Sequence, residues 1–370
     1  MTAARVLIVD DSVVVRKLLS DIIASDKDLE LGGTAASAPI ALQKISQVNP
    51  DIVLLDVEMP EMNGIEAARR IRAGWPKLPI VMCSTLTERG ADVTLQALAA
   101  GASDYVAKPT TVGGGSDLAK FKAEVLAKLK ALTGRDRMVC PLPVRRPAPA
   151  ATPTTRSGTM KAQTPVSLLT IGCSTGGPAA LAEVFKDLPG DMGVPILIVQ
   201  HMPPLFTRML ADRLSATSRI KVTEAVHGEE LLPNRAYIAP GNYHVDLKRD
   251  GARMRIQLNQ DPPENSCRPA VDVTFRAAAK MYGPGVLAAV LTGMGHDGTR
   301  GSAEIADGGG TVIVQDAASC VVPSMPGSVA SAGLADATYR LSDIGQQLAS
   351  IIKRRAGRDN RMTAFSRTAP

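Results

Sequence analysis

The sequence is poor in aromatic residues and has no long hydrophobic run. Aromatics make up 3% of the 370 residues while hydrophobic residues make up 45%, so aliphatic side chains must fill the cores. No apolar run approaches the roughly 18 residues that span a membrane. The first residues also lack the charged start, apolar middle and cleavage site of a signal peptide. We therefore expect a cytoplasmic protein without membrane insertion, divided into two or three domains.

Cysteine is scarce too, and its arrangement argues against the common metal and disulfide frameworks. The cysteines are odd in number and match neither zinc-site nor CxxC spacing. They are Cys83, Cys140, Cys173, Cys267 and Cys320. Scattered cysteines of this kind are typical of free thiols in a reducing cytoplasm.

The net charge of +6 is confined to two short segments. Residues 133–165 and 353–370 each hold six basic residues and one acidic residue, which leaves the rest of the chain at −4. The parts expected to fold therefore offer no basic stripe with interleaved aromatics of the kind that binds nucleic acid. We expect no nucleic-acid partner, and we interpret both segments as solvated charge.

A change of composition predicts the domain boundaries. Residues 133–165 are rich in proline, alanine and threonine and show no helical or strand period, which is typical of a flexible linker. The linker separates a first domain, residues 1–132, from a second domain, residues 166–355. We expect residues 356–370 to form a disordered basic tail.

Both domains alternate apolar strand-like segments with amphipathic helix-like segments. In the first domain, strands are expected at 5–10, 29–35, 51–56, 79–84 and 104–108. In the second domain, strands are expected at 166–171, 194–200, 235–239, 286–292 and 310–315, with a hairpin strand at 252–258 and a last helix at 341–353. Buried strands that alternate with helices predict parallel sheets covered on both faces. The expected fold class is α/β, with two doubly wound domains.

In the first domain, polar residues stand at the carboxyl ends of the expected strands, where open parallel sheets gather functional groups. They are Asp10, Asp11, Asp56, Ser84 and Lys108. Converging carboxylates repel one another unless a cation joins them, and their oxygens suit Mg²⁺. The pattern predicts a Mg²⁺-assisted site for phosphorylating a carboxylate, Asp56. The alternative is that these residues only end strands and cap helices.

Four stretches of the first domain are similar to the response-regulator receiver family. They are "LIVDDS", "LLDVEMPEMNG", "VMCST" and "GASDYVAKP". The resemblance implies a CheY-like receiver in which Asp56 accepts phosphate from a histidine kinase. It also implies that Asp10, Asp11 and Asp56 hold Mg²⁺ together with the backbone carbonyl of Glu58. The family's switch positions fall on Ser84, Tyr105 and Lys108.

The stretch "LLTIGCSTGGP", residues 168–178, leads from a strand through a glycine-rich turn into a helix. Gly176 and Gly177 permit a tight turn, which aims backbone N–H groups at one point. Three interpretations of Ser174 stay open: a nucleophile, a phosphate-loop hydroxyl, or part of a turn. The phosphate-loop hypothesis is weakened because the stretch lacks G-x-G-x-x-G spacing and the Walker lysine.

A nucleophilic serine needs a base, and the chain holds four histidines. "GCSTG" fits the G-x-S-x-G elbow of α/β-hydrolases, whose residue order would select His296. However, a strand and two helices are expected after His296, and Ser174 follows the first strand of its domain rather than a middle one. His201 is the better base because it ends the next strand, at the same expected sheet edge as Ser174. His227 and His244 are expected to have solvated or structural roles in loops.

Asp297 follows a third apolar strand, in the stretch "AVLTGMGHDGTRG". An isolated aspartate in such a turn usually bonds its own backbone, but here it completes a Ser–His–Asp set at three strand ends. We therefore predict Ser174 as nucleophile, His201 as base and Asp297 as the acid that orients the base. A backbone amide near Asp297 is a candidate for stabilising an oxyanion.

Five stretches of the second domain, after a receiver and a linker, resemble the chemotaxis protein-glutamate methylesterase family, CheB. They are "IGCSTGGP", "VQHMP", "IAPGNYH", "SCRPAVDVTF" and "LTGMGHDG". The resemblance implies a Rossmann-like esterase domain that hydrolyses glutamate γ-methyl esters on methyl-accepting chemoreceptors and releases methanol. In many members it also deamidates receptor glutamines, and it needs no cofactor at the esterase site. The family's catalytic positions fall on Ser174, His201 and Asp297, and Thr175 and Met294 fall beside the oxyanion site.

The resemblance also implies regulation and partners. The receiver is expected to cover the esterase site until phosphorylation of Asp56 shifts the population to an uncovered state. The expected partners are chemoreceptors as substrate and a chemotaxis histidine kinase as phosphodonor. One rival hypothesis is a response regulator without enzymatic activity, whose second domain binds a nucleotide or a protein. Another is an esterase of a different two-component pathway.

Overall fold

The structure is a computed structural model of the chain. It describes residues 2–85, 87–109, 115–135 and 164–365. The chain divides into two compact units, Met1–Arg137 and Met138–Pro370, and each is described by itself. Most of the predicted linker, residues 133–165, lies outside the described residues, so its flexibility stays a prediction.

The first unit is a five-stranded sheet with helices between successive strands. Its strands are β1 (Ala4–Val9), β2 (Leu29–Ala35), β3 (Ile52–Asp56), β4 (Ile80–Ser84) and β5 (Asp104–Ala107). Its helices are α1 (Val13–Ala24), α2 (Ala38–Val48), α3 (Gly64–Gly74), α4 (Glu88–Ala99) and α5 (Gly115–Leu132). All strands pair in parallel, in the order β2-β1-β3-β4-β5. The predicted α/β fold is confirmed for this unit.

Local sequence explains how this sheet presents its carboxyl edge. The strands β3 and β4 are fully buried apolar runs, and polar residues follow or end them. Ser12 caps α1 because its hydroxyl accepts a hydrogen bond from Val15 N at 3.4 Å, and its own N–H donates to Asp10 Oδ1 at 2.8 Å. The strand order reverses at β1, which leaves a crevice at the carboxyl ends of β1 and β3.

The second unit is a seven-stranded parallel sheet with a separate antiparallel hairpin. Its strands are β6 (Leu168–Cys173), β7 (Ile196–Gln200), β8 (Lys221–Glu224), β9 (Arg235–Ile238), β10 (His244–Asp250), β11 (Arg253–Asn259), β12 (Val286–Val290), β13 (Thr311–Gln315) and β14 (Ala337–Tyr339). Its helices are α6 (Gly177–Asp187), α7 (Phe206–Thr217), α8 (Val271–Tyr282), α9 (Thr299–Asp307), α10 (Ser324–Ser331) and α11 (Leu341–Phe365). The parallel sheet has the order β14-β13-β12-β6-β7-β9-β8. The hairpin pairs β10 with β11, as the predicted strand at 252–258 requires.

The strand β6 is the first of its unit along the chain but lies in the middle of the sheet, between β12 and β7. From its place in the chain, Ser174 was not expected to follow a middle strand. In the sheet it does follow one, because chain order and sheet order differ in a doubly wound fold. Helix α8 packs closely on this strand: a Cβ on Gly172 would lie 2.4 Å from Val271 Cγ1. Glycine at this position lets the amino end of α8 reach the carboxyl edge of the sheet.

The carboxyl-terminal helix is longer than predicted. Helix α11 continues to Phe365, beyond the expected end at residue 353. The disorder of the tail stays a prediction, and residues 366–370 lie outside the described residues. The added turns contain no proline, which would interrupt a helix, and arginine is a favourable helix residue. Short elements such as β8 and α10 were not predicted. Each contains only about two repeats of the strand or helix hydrophobic period, which is too few to recognise in the sequence.

More structure follows His296 than the sequence indicates. Two strands and three helices follow it, namely α9, β13, α10, β14 and α11, where one strand and two helices were expected. In the part of the chain that the structure describes, no helix has both the length and the apolar composition to cross a membrane.

Candidate functional site

The acidic cluster of the first unit is built at the ends of three strands. Lys108, just after β5, donates hydrogen bonds to Asp10 Oδ2 at 2.8 Å and to Asp56 Oδ1 at 2.7 Å. Both carboxylates are buried, at 1% and 5% exposure. Val57 N also donates to Asp56 Oδ1 at 2.8 Å. The structure thus brings together the predicted phosphoacceptor, a predicted metal ligand and the predicted lysine.

Charge in this cluster is incompletely balanced. Burial raises the pKa of Asp56 to about 6, because the cost of removing its charge from water outweighs the attraction of Lys108. Burial opposes the charge on Lys108 as well, but the carboxylates of Asp56 and Asp10 prevail and raise the pKa of the lysine. One ammonium therefore serves two buried carboxylates, and the site has capacity for further positive charge.

The donors in the cluster fit a hard divalent cation. Carboxylate oxygens of Asp10, Asp11 and Asp56 lie within 4.8 Å of one another, and Asp11 is exposed to solvent. Oxygen ligands with room for water are the set that Mg²⁺ prefers. Glu58 is exposed in the loop after β3, so its backbone is close in sequence to Asp56.

The other two predicted switch residues occupy buried positions. The hydroxyl of Ser84 donates to the carbonyl of Gly90 at 3.0 Å. The Tyr105 side chain is 4% exposed, burial raises the pKa of its hydroxyl well above the usual range, and the Lys128 ammonium lies 4.8 Å from its ring centroid. In this structure the tyrosine ring is packed inside its unit.

In the second unit, Ser174 stands in the turn between β6 and α6. Its N–H donates to the carbonyl of Thr292 at 3.0 Å, and its carbonyl accepts from Gly177 N at 2.7 Å. Gly176 adopts φ +78°, a conformation that favours glycine. The turn therefore fixes the serine backbone beside the loop that follows β12, where Asp297 is found.

His201 and Asp297 are in direct contact, as predicted. His201 Nε2 and Asp297 Oδ2 lie 2.7 Å apart, and the carboxylate is 2% exposed. The backbone N–H of Val271 donates to Oδ2 at 2.7 Å. The other oxygen, Oδ1, accepts from Asp272 N at 2.9 Å and from Asn265 Nδ2 at 2.8 Å. These bonds leave the carboxylate one orientation, and the carboxylate in turn orients the imidazole.

The electrostatics of the pair are coupled. Burial disfavours the charge on Asp297, but hydrogen bonds from His201 and the backbone prevail and lower its pKa to about 2. Burial also works against a charged His201, yet the Cys267 sulfur and the Asp297 carboxylate outweigh it and raise the pKa of the ring. A buried carboxylate at this position therefore stabilises positive charge on the imidazole.

The Ser174 and His201 side chains are not hydrogen-bonded to each other in the structure. Among the described residues, His201 Nδ1 faces Cys267 Sγ at 3.5 Å, and the Ser174 hydroxyl makes no hydrogen bond to the ring. Since Asp297 occupies Nε2, the nitrogen left to accept a proton is Nδ1, the reverse of the usual Ser–His–Asp arrangement. Such bonds are often long in ligand-free enzymes and tighten when substrate binds.

The remaining histidines have other surroundings. His244 is 1% exposed, and its ring bonds the backbone of Pro262 and Ala270. His227 Nδ1 accepts from Leu258 N at 3.1 Å. Both contacts are structural, in line with the sequence interpretation, but His244 begins strand β10 and so does not lie in the expected loop. His296 is half-buried next to Asp297.

Sequence reasoning assigned no role to Gln200, which braces both predicted catalytic residues. Its side chain is 2% exposed, and its amide nitrogen donates to the carbonyls of Ser174 at 3.0 Å and His201 at 3.3 Å. A Cβ on Gly177 would lie 1.9 Å from its amide oxygen, so the glycine makes room for it. The sequence did carry a signal for this role: Gln200 is a polar residue at the end of a buried strand, immediately before His201.

The predicted oxyanion residues flank Ser174. Thr175 is 3% exposed, and its carbonyl accepts from Thr292 Oγ1 at 2.9 Å. Met294 is half-buried and follows Gly293, where an added Cβ would lie 2.9 Å from Ser174 Cβ. The backbone at residue 293 thus approaches the serine closely.

Comparisons with known proteins identify the family of each unit. The family model for the CheB methylesterase matches residues 169–348, and the model for the response regulator receiver domain matches residues 6–114. These matches define the class of protein: a response regulator whose receiver is joined to a methylesterase domain.

Similarity also extends over nearly the whole chain. It is 48% identical to a protein-glutamate methylesterase/protein-glutamine glutaminase from a Nocardioides species, over 94% of this chain and 95% of that protein. It is 46% identical to one from Trichodesmium erythraeum, over 94% and 99%. The crystal structure of the CheB methylesterase catalytic domain of Thermotoga maritima is 43% identical, covers 50% of this chain and 98% of that domain, and gives a TM-score of 0.50. The chain belongs to the CheB methylesterase family.

The raised pKa of Asp56 predicts a pH dependence of receiver stability. In Mg²⁺-free buffer, the pKa of Asp56 is about 6 in the folded protein. In the unfolded chain the pKa of an aspartate is about 3.9, so it loses its proton at lower pH. The unfolded state binds fewer protons in this window, so the free energy of unfolding falls as pH rises. The shift corresponds to about 3 kcal/mol over the window.

The measurement is urea unfolding of the full chain between pH 4 and pH 7, followed by tryptophan fluorescence. The single tryptophan, Trp75, lies in the first unit, so it reports that unit. Asp56→Asn removes the titrating group. As the pH rises from 4 to 7, the free energy of unfolding of this variant should therefore increase relative to that of the wild type. An unchanged difference between the two proteins at every pH would contradict the assignment.

The contacts of Gln200 predict a positioning role. Gln200→Leu removes the one amide that donates to the carbonyls of both Ser174 and His201. The Ser174 carbonyl keeps its bond from Gly177 N, so the main effect is to loosen the position of Ser174 relative to His201. We expect kcat for ester hydrolysis to fall about tenfold or more, with little change in KM.

Gln315→Leu is the matched control. Gln315 is also 2% exposed at the end of a strand, but it bonds Thr292 and Ser319 instead. It should lose comparable stability in thermal unfolding and retain more of its kcat. Equal losses of kcat in both variants would show that Gln200 acts only through general stability.

Proposed function

We propose that this protein hydrolyses glutamate γ-methyl esters on methyl-accepting chemoreceptors, releases methanol and deamidates receptor glutamines. Its relatives carry the names protein-glutamate methylesterase and protein-glutamine glutaminase. The observation that carries the proposal is the 2.7 Å contact between His201 Nε2 and the buried Asp297 carboxylate, at the sheet edge where the Ser174 turn is also held.

The proposed mechanism follows from the positions of three side chains. The Ser174 hydroxyl attacks the ester carbonyl while His201 Nδ1 takes its proton, and Asp297 stabilises the imidazolium through Nε2. The imidazolium then gives the proton to the leaving methoxide, and methanol departs. Water, activated by the same nitrogen, hydrolyses the glutamyl ester of Ser174 and regenerates the enzyme. No cofactor is needed for these steps.

Backbone groups beside the serine would bind the oxyanion. The turn containing Thr175 and the approach of residue 293 place main chain on two sides of Ser174. Charge that develops on the carbonyl oxygen is best stabilised by such fixed N–H groups in a water-poor site. We assign this role to the backbone at Thr175 and Met294.

The first unit is the proposed input domain. Asp56 would accept a phosphoryl group from a chemotaxis histidine kinase, and Lys108, already 2.7 Å from its carboxylate, would pair with that group. Asp10, Asp11 and Asp56, with the carbonyl of Glu58, would hold Mg²⁺, which supplies charge neutralisation for phosphoryl transfer. Ser84 and Tyr105 would carry the change onward and raise esterase turnover, in a protein that acts in the cytoplasm.

The choice of base can be tested directly. His201→Ala should abolish methanol release, because the only imidazole bonded to Asp297 is lost. His296→Ala is the control, because His296 directly precedes Asp297 in the sequence, and this variant should keep most of the activity. A serine-reactive phosphonate should label Ser174 in the wild type and in His296→Ala but not in His201→Ala. The reverse pattern would favour the residue order of α/β-hydrolases.

The overall proposal is tested by methanol release from membranes that contain methyl-labelled chemoreceptors. Release should rise when a small phosphodonor and Mg²⁺ are added. Asp56→Asn should keep its basal release and lose the stimulation, since an amide cannot accept the phosphoryl group. Equal stimulation of the variant would reject Asp56 as the phosphoacceptor. Absence of release from any wild-type sample would reject the esterase.

A further inference from the structure

Cys267 occupies an unusual place in the second unit. Its Sγ lies 3.5 Å from His201 Nδ1, and the residue is half-buried, while the His201 side chain is 12% exposed. Of the other free cysteines in the described chain, Cys83 and Cys173 are buried and Cys320 is half-buried. The sequence spacing excluded a zinc motif, but the fold brings this thiol to the imidazole from 66 residues away.

The distance between the two atoms suits a shared metal ion. Zinc binds thiolate sulfur at about 2.3 Å and imidazole nitrogen at about 2.0–2.1 Å with tetrahedral angles, which sets the two donor atoms about 3.5 Å apart. The observed sulfur–nitrogen distance is 3.5 Å. A metal could therefore enter between Cys267 and His201 without rearrangement of the backbone.

The opposite edge of the ring is prepared in the way that metal-binding histidines require. Asp297 Oδ2 lies 2.7 Å from Nε2, and Val271 N holds that oxygen at 2.7 Å. A histidine that ligates a metal usually gives its other N–H to a carboxylate, which fixes the ring and strengthens the ligand. The donor atoms of His201, Cys267 and Asp297 also lie within 4.8 Å of one another.

We propose that Cys267 and His201 form a binding site for a thiophilic divalent cation such as Zn²⁺, with Asp297 as the outer carboxylate. Binding replaces the thiol proton of Cys267 by the metal, and the Nδ1 proton of His201 where the ring is protonated; both protons go to solvent, and the metal then uses the lone pair of His201 Nδ1. Water fills the remaining coordination positions. The effect of metal binding on turnover rests on the proposed function. The bound metal occupies the His201 lone pair that would accept the Ser174 proton, so the metal inhibits the esterase.

The site differs in chemistry from the acidic cluster of the first unit. That cluster offers carboxylate oxygens, which suit Mg²⁺, whereas thiolate and imidazole select softer ions. Saturating Mg²⁺ therefore leaves the thiol–imidazole pair available to Zn²⁺. Because binding releases a proton, inhibition at fixed Zn²⁺ should strengthen as pH rises.

The test uses the full-length protein in excess Mg²⁺, with Zn²⁺ added from a metal buffer while methanol release is measured. Wild-type protein should be inhibited, and Cys267→Ser should need about tenfold more Zn²⁺ or higher for half-inhibition. Cys320→Ser is the matched control, because Cys320 is also a half-buried free thiol. It should remain as sensitive as the wild type.

A spectroscopic readout separates this site from the proposed activity. Co²⁺ in place of Zn²⁺ should give a sulfur-to-cobalt charge-transfer band in wild type and in Cys320→Ser, and no such band in Cys267→Ser or Cys267→Ala. The band would appear even if no methanol were ever released, so the two proposals can fail separately. Absence of the band in the wild type, or equal zinc sensitivity of Cys267→Ser, would overturn the metal site.

Discussion

The second unit depends on one buried carboxylate. Asp297 accepts hydrogen bonds from the backbone at Val271, Asp272 and Gly298, from the side chain of Asn265, and from the ring of His201. A charged group at 2% exposure is stable only with such complete pairing. Three of these donors, Val271, Asp272 and Asn265, come from the start of α8 and from the loop before it. The carboxylate therefore joins that segment to the loop after β12 and sets the orientation of the imidazole.

Sheet order explains why these groups can meet. Ser174 follows β6, His201 follows β7 and Asp297 lies beyond β12, and these three strands are neighbours at the centre of the sheet. Parallel strands direct all their carboxyl ends to one edge, so three segments that are distant in sequence converge there. The same rule in the first unit brings Asp10 and Asp56 together, because β1 and β3 are neighbours.

Much of this arrangement could be predicted because it depends on periodicity and on strand ends. Alternating apolar segments predicted the α/β fold, and the residues after each strand predicted Lys108 beside Asp56 and His201 beside Asp297. The contact of Cys267 with His201 could not be predicted, since it depends on a loop before α8 in which Asn265 and Ser266 adopt φ of 51° and 63°. Such a loop has no period to read. Which ring nitrogen faces Asp297 is likewise set by packing and not by sequence.

The two sites use the same physical device for different ends. In each, a buried carboxylate at the sheet edge bonds a cationic partner. In the first unit the partner is Lys108, whose raised pKa keeps it charged, so it can only attract a phosphoryl group or yield place to a metal. In the second unit the partner is His201, whose pKa the Cys267 sulfur and the Asp297 carboxylate also raise. An imidazole still gives up its proton far more readily than an ammonium, because its ordinary pKa is about 6.5. A fixed charge suits the phosphoryl group proposed for the first site, and a mobile proton suits the ester hydrolysis proposed for the second.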